Sequence, residues 1–357
     1  MRAPCTLAMI LFLPIPAAAE GDPDQGGAAE HHSHHGSHGG SRPDDYAPLG
    51  VMGDHLHEAG HWMLSYRYGH MSMDGNRDGT DRVSTADVSP GGFPVAPTDM
   101  DTDMHMFGLM YAPTNWLTLM AMMPYIEKSM NHVIGATGRK FRTDSGGPGD
   151  FRLTGLVRVL DTRHHDLHLN LGMSFPTGEI DAEDFTPTPL MGFRKTRLPY
   201  PMQLGSGTFD VLLGATYNGR NAWLSWGGQA MGTLRTGEND NDYRVGDRVG
   251  VTAWVARPWT SWFSTSLRLD WQWWDNVHGA DPSLNPDAVP TADPSLRGGN
   301  RLDLLGGLNF QLPLGPLGEH RIAIEVGGPV YQWLYGPQLE TDWRILVGWQ
   351  KAFGPLW

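Results

Sequence analysis

The run Asp166-Leu167-His168-Leu169-Asn170-Leu171-Gly172-Met173-Ser174-Phe175 alternates polar and apolar residues without a break. Successive side chains of an extended chain point to opposite faces. Leu167, Leu169, Leu171, Met173 and Phe175 therefore share one face, and His168, Asn170, Gly172 and Ser174 share the other. Such a strand fits a soluble sandwich, whose apolar face meets a core. It also fits a membrane barrel, whose apolar face meets lipid while the polar face lines a lumen.

The pattern recurs along the chain. Phe209, Val211, Leu213, Ala215 and Tyr217 oppose Asp210, Gly214, Thr216 and Asn218. Val249, Val251, Ala253 and Val255 oppose Arg248, Gly250 and Thr252. Leu267, Leu269, Trp271 and Trp273 oppose Arg268, Asp270 and Gln272. Similar runs cover Leu302 to Leu312, Ile322 to Val326, and Trp343 to Trp349. Two features select the barrel. Charged residues such as Arg268 with Asp270, and Arg321 with Glu325, sit repeatedly on the polar side, as an aqueous lumen allows. The links between segments also alternate between short and long, as the periplasmic turns and outer loops of bacterial barrels do.

Twelve strands are expected, at about 61–73, 102–112, 116–128, 149–160, 166–176, 208–218, 221–234, 243–257, 261–274, 301–312, 320–330 and 342–353. Long outer loops are expected at 74–101, 129–148, 177–207 and 275–300. The fold class is thus all-β, a transmembrane antiparallel β-barrel of about twelve strands with both termini on the periplasmic side. The last strand alternates to Phe353 in a chain ending at Trp357, the kind of aromatic segment that barrel-assembly machinery binds during biogenesis.

The N-terminus reads as an export signal at 1–19. Arg2 is basic, Thr6 to Ile15 is apolar, and Ala17-Ala18-Ala19 offers a cleavage site before Glu20. Residues 20–50 carry few large apolar side chains and include the tract His31, His32, His34, His35 and His38. That composition predicts a disordered, His-rich periplasmic arm. The barrel is expected over 51–357. The single cysteine, Cys5, lies in the signal, so the exported chain has no disulfide. The formal charge of -13 excludes nucleic acid as a partner, and removing the signal makes the chain more acidic still. These readings place the chain in the outer membrane of a Gram-negative bacterium, in contact with its lipid.

Methionine placement points to chemistry. Alternation puts His61, Met63, Met71, Met73, Met104, Met106, Met110, Met120 and Met122 on the lumen face of the first three strands. Thioethers select Cu(I) and imidazole suits copper or zinc. Methionine equally fills irregular apolar space, so a Met-lined lumen would also suit a hydrophobic solute. Asp74-Gly75-Asn76-Arg77-Asp78-Gly79 matches the opening of a calcium loop, with Asp74, Asn76 and Asp78 as ligands, although Thr85 stands where that loop needs glutamate. His57-Glu58-Ala59-Gly60-His61 has the zinc-protease spacing, but Gly60 and the adjoining strand deny it a helix. No nucleophile motif or phosphate loop is present, so no enzyme is expected and no cofactor is required.

Three blocks, HWMLSYRYGHMSMDGNRDGTDRVS, VAPTDMDTDMHMFGLMYAPTNWLTLMAMMPYIEKSM and LPYPMQLGSGTFDVLLGATYNG, resemble the family labelled meta-pathway of phenol degradation. The resemblance covers most of 50–357 and implies an outer-membrane transport protein, with an association to aromatic compounds. The expected function is a channel for a small solute, either an aromatic compound or a metal ion. Arg152, Arg158, Arg248, Arg268, Asp270, Arg321 and Glu325 would set the field of its pore. The alternative is a copper-sequestering protein that uses the His-rich arm and the Met face.

Overall fold

The computed structural model describes residues 42–88, 92–188, 192–313 and 319–355. The export signal, the histidine tract (His31, His32, His34, His35 and His38) and the rest of the arm up to residue 41 lie outside these.

Eleven extended elements form one closed antiparallel ring. They are β1 (Trp62–Gly79), β2 (Val95–Thr114), β3 (Leu117–Ile134), β4 (Phe151–Asp161), β5 (His165–Phe175), β6 (Phe209–Arg220), β7 (Ser225–Thr236), β8 (Arg248–Pro258), β9 (Phe263–Trp274), β10 (Gly299–Pro313) and β11 (Glu319–Phe353). Each pairs with the next, and β11 pairs with β1 to close the ring, from Trp62 opposite Phe353 to Gly79 opposite Leu334. β11 supplies two staves. Residues 319–334 pair with β10, and residues 334–353 pair with β1. The two halves meet each other where Arg321 donates to Gln350 at 2.6 Å and Gln332 donates to the Thr341 carbonyl at 2.8 Å. The ring therefore has the expected twelve staves.

Alternation decides which side meets lipid. Leu169, Leu171 and Met173 of β5 are exposed outward, whereas His168, Asn170 and Ser174 are buried inside. Likewise, Leu267 and Leu269 of β9 face out while Arg268 and Asp270 face in. A one-residue slip in any stave would reverse this, so one apolar face on lipid fixes the register.

The first three staves exceed the sequence expectation. β1, β2 and β3 run for 18, 20 and 18 residues, or about 60 Å at about 3.3 Å per residue. The strand Lys140–Pro148 pairs with the upper part of β3, from Val133 down to Tyr125. Much of the expected loops 74–101 and 129–148 is thus strand. Their upper parts carry Asp, Asn, Thr and His because they stand beyond the lipid, where no apolar face is required.

This extension places the expected calcium residues on a strand. The Asp74–Gly79 stretch is the end of β1 and hairpins with Asp81–Val83. Asn76 is buried and donates to the Pro97 carbonyl at 2.7 Å, while Asp74 and Asp78 are exposed.

Candidate functional site: a plugged lumen

Residues 42–50, grouped by composition with the arm, are ordered, and with 51–61 they run inside the ring. Ala47, Leu49, Val51 and Leu56 are buried, as are Asp44, Asp54, His55 and His57. The chain enters beside the β6–β7 and β8–β9 turns, rises to Gly50–Met52, and returns to the foot of β2, where Gly60 donates to the Ala112 carbonyl at 2.8 Å. It fills the short-turn half of the lumen, the periplasmic half by the usual orientation.

Local propensity does not hold this segment, since it forms no helix or strand. Lumen side chains hydrogen-bond its backbone instead. Ser264 donates to the Pro43 carbonyl at 2.9 Å, Ser225 to Asp44 at 2.6 Å, Gln229 to Met52 at 2.8 Å and Asn218 to Asp54 at 2.8 Å. The Gly53 carbonyl takes hydrogen bonds from both His168 and Asn170, at 2.9 and 3.1 Å. Gly53 has φ 62, and a Cβ there would meet Asn170 Nδ2 at 2.9 Å, so both conformation and space call for glycine.

Two buried acids lock the segment. Glu325 accepts from Gly50 N at 3.1 Å and pairs with Arg268 at 2.5 Å. Asp54 accepts from Ala47 N at 3.0 Å and contacts His55 Nδ1 at 2.8 Å. Arg321 donates to the Ala47 carbonyl and to Asn309, each at 2.6 Å, and lies over the Tyr46 ring at 4.8 Å. Burial alone would raise the Asp54 carboxyl, but His55, Arg321 and Arg67 outweigh it and hold it well below the usual carboxylate range. For His57 the nearby Asp54 offsets only part of the burial. Burial, reinforced by neighbouring His55, pushes it down to about 3, so it is neutral in place.

Above the segment lies a cavity of about 330 Å³. Its lining mixes apolar side chains, Met52, Met106, Met120, Met122, Met231, Leu212 and Leu346, with the charged Arg152, Arg248, Arg268, Arg344 and Asp270. Arg344 is neutralised by Asp270 at 2.5 Å and Asp303 at 2.8 Å, and Arg268 by Glu325. Arg152 and Arg248 are solvent-accessible, and among the described residues neither forms an ion pair. Arg248 only donates to Gln272 at 2.8 Å. The cavity therefore holds an excess of positive charge next to polarizable thioethers. Of the expected field-setting residues, Arg158 lies off the cavity and pairs with Asp161 at 2.5 Å, while Arg321 and Glu325 hold the plug.

The structure divides the expected methionine run in two. Met63, Met110, Met120 and Met122 pack with Leu56 and Leu156, with Met52 and Met106 beside them. Met73 joins Met100, Met130, Leu198 and Met202 near the outer end. Met71 lies between them, its sulfur 3.9 Å from Arg301 and Thr341, and Met104 sits opposite Gly69 and Ile126. His61 stands apart from the sulfurs, its Nδ1 4.0 Å from Glu58. Among the described residues no group of three His, Cys, Asp or Glu side chains could hold a metal ion. Sequence reasoning missed the plug. Its available signals were Leu49, Val51 and Leu56 in a polar stretch, and lumen faces rich in amides and hydroxyls that lacked partners.

A closed strand ring, apolar outside and polar within, defines an outer-membrane β-barrel, here plugged from its own N-terminal side. Among solved structures, an outer-membrane channel from Pseudomonas putida F1 shares the fold, with TM-score 0.56 and 14% identity over 85% of this chain and 99% of that one. The monoaromatic hydrocarbon channel CymD is more distant, with TM-score 0.38 and 8% identity over 83% of this chain and 89% of that one. The KdgM porin gives TM-score 0.37 and 9% identity over 82% of this chain and 99% of that one. No protein-family model matches the chain, and no curated protein does. The resemblance to the phenol-degradation family thus rests on the three sequence blocks alone, and the structural likeness is one of fold.

Proposed function

We propose that this barrel is an outer-membrane channel for small amphipathic organic anions, aromatic acids among them. The carrying observation is the cavity, whose lining interleaves methionines with Arg152 and Arg248, neither of which is paired with a carboxylate. Methionine adapts to varied apolar shapes, which suits a class of solutes better than a single one. Arginine in a pore lining favours anions, and low-dielectric walls focus its field. An apolar ring would lie on the thioethers while its carboxylate meets the guanidinium groups. Passage requires the segment 42–61 to yield, since it fills the lumen below the cavity.

Reversal potentials across planar bilayers under a KCl gradient test this reading. The native barrel should prefer chloride, and Arg152→Ala with Arg248→Ala should lose most of that preference. A cation-selective native barrel, or unchanged selectivity in the double variant, would refute it.

A second reading is soft-metal handling, supported by the row in which Met63 stands opposite Met110 and Met110 opposite Met120. Cu(I) titration of the barrel tests it. Binding that survives loss of residues 20–41 and vanishes with Met120→Leu and Met122→Leu would establish a site.

A further inference from the structure

The outward row of β8 is apolar through Val249, Val251, Ala253 and Val255, and that of β11 through Trp343, Ile345, Val347 and Trp349. Each row then reaches a cation just before the chain leaves the strand. Arg257 points outward opposite Thr265, and Lys351 points outward opposite Leu64. Each cation covers an aromatic ring two residues further on. The Arg257 guanidinium lies over Trp259 at 4.4 Å, and Lys351 Nζ lies over Phe353 at 4.8 Å. Both rings are themselves held in place. Trp259 Nε1 donates to Thr265 Oγ1 at 2.9 Å, and Phe353 stacks on Trp62 with centroids 4.1 Å apart. Among the described residues, neither cation forms an ion pair.

The depth of these pairs identifies what they meet. Trp223, Trp259 and Trp262 are exposed at this short-turn end, and interfacial tryptophans mark the level of lipid headgroups. The other end of β2 and β3 presents Asp101, Asp103 and Glu127 instead. An aromatic face holds a cation without neutralising it, so the charge remains available to an anion. On a chain of formal charge -13, two such cations at headgroup depth complement lipid phosphate. A headgroup of net negative charge gains more there than a zwitterionic one. We infer that Arg257 with Trp259, and Lys351 with Phe353, are two binding sites for anionic glycerophospholipids of the periplasmic leaflet. The phosphate meets the cation, the glycerol region lies on the ring, and the acyl chains follow the apolar row beyond. Both sites stand on the lipid face and are independent of the lumen reading.

The test is native mass spectrometry of the full-length chain, stripped of lipid in detergent and titrated with phosphatidylglycerol or phosphatidylcholine. The native barrel should retain two phosphatidylglycerol molecules, and phosphatidylcholine should bind about fivefold more weakly or worse. Arg257→Gln and Lys351→Gln should each remove one phosphatidylglycerol, and the double variant both. Trp259→Leu keeps the charge but removes its platform, and should weaken one site about threefold. Arg163→Gln, at an exposed turn position of the same end, should retain both lipids. Equal retention of the two lipids by the native barrel, or undiminished phosphatidylglycerol binding in the double variant, would overturn the assignment. An equal loss from Arg163→Gln would also overturn it, since surface charge alone would then account for the binding. Bilayer ion selectivity should stay native in Arg257→Gln and Lys351→Gln, which separates failure here from failure of the lumen reading.

Discussion

Arg321 is the most informative place to loosen the plug. It donates to the Ala47 carbonyl and sits in the field of Asp54, so Arg321→Met removes a charged hydrogen bond and one cation facing a buried carboxylate. A hydrogen bond to a charged group contributes about 1.5–3 kcal/mol, and stripping a partner from a buried ion pair costs about 3–5 kcal/mol. Asp54 keeps His55 and Arg67, so a loss of about 3 kcal/mol in docking is expected, where the first range ends and the second begins. Every 1.36 kcal/mol is tenfold, so the undocked population should rise by about a hundredfold. The assay uses a background in which Cys5, the only cysteine of the sequence, is replaced by serine. Val51→Cys, at a position 2% exposed in the docked segment, reports undocking through its rate of labelling by a polar maleimide. Adding Arg321→Met should speed labelling by about two orders of magnitude, with folding of the ring checked by heat-dependent gel mobility. A rate within threefold of the parent would show that Arg321 does not lock the segment.

Further outcomes follow from the same geometry. His57 is neutral when docked at a pKa of about 3, against about 6.5 when free. The free segment therefore binds more protons below that value. Docking should be strongest above pH 6.5 and weaken by about 1.4 kcal/mol per pH unit as pH falls below it. Labelling of Val51→Cys, corrected for thiol ionisation, should thus accelerate from pH 7 to 5, and His57→Phe should flatten that profile. Leu171→Arg, on the lipid face of β5, should destabilise the barrel by about 2–4 kcal/mol in urea unfolding from vesicles, while a similar loss is not expected from Gly306→Ala, whose new methyl meets open space. Asn76→Ala leaves the buried Pro97 carbonyl without its donor and should cost about 1–3 kcal/mol, with no rescue by calcium.

The wall was legible because lipid demands it. Outward positions in the middle of β5 and β9 must be apolar, so a period of two survives in the sequence. Where the demand lapses, so does the signal. The upper part of β1 beyond Met73 stands in water, and there Asp74 to Gly79 read as a metal loop although they are strand. The plug was illegible for a different reason. Its order comes from Gln229, Asn170, Ser225 and Arg321, which lie far along the chain, and a stretch such as Arg42 to Gly50 looks unstructured by composition. The lumen face of the methionines followed from alternation. Their division into two clusters required Leu56 and Leu198, contributed by segments with no regular period.

The doubled final element also serves two tasks. Its first half carries Arg321 and Glu325, which grip Ala47 and Gly50, and its second half closes the ring against β1. A nascent barrel lacking residues 319–353 has no seam, and it lacks the two side chains that grip Ala47 and Gly50 although Ser264, Gln229 and Asn170 are in place. The element that closes the wall thus also completes the seat of the plug, and both tasks fall to one stretch of chain.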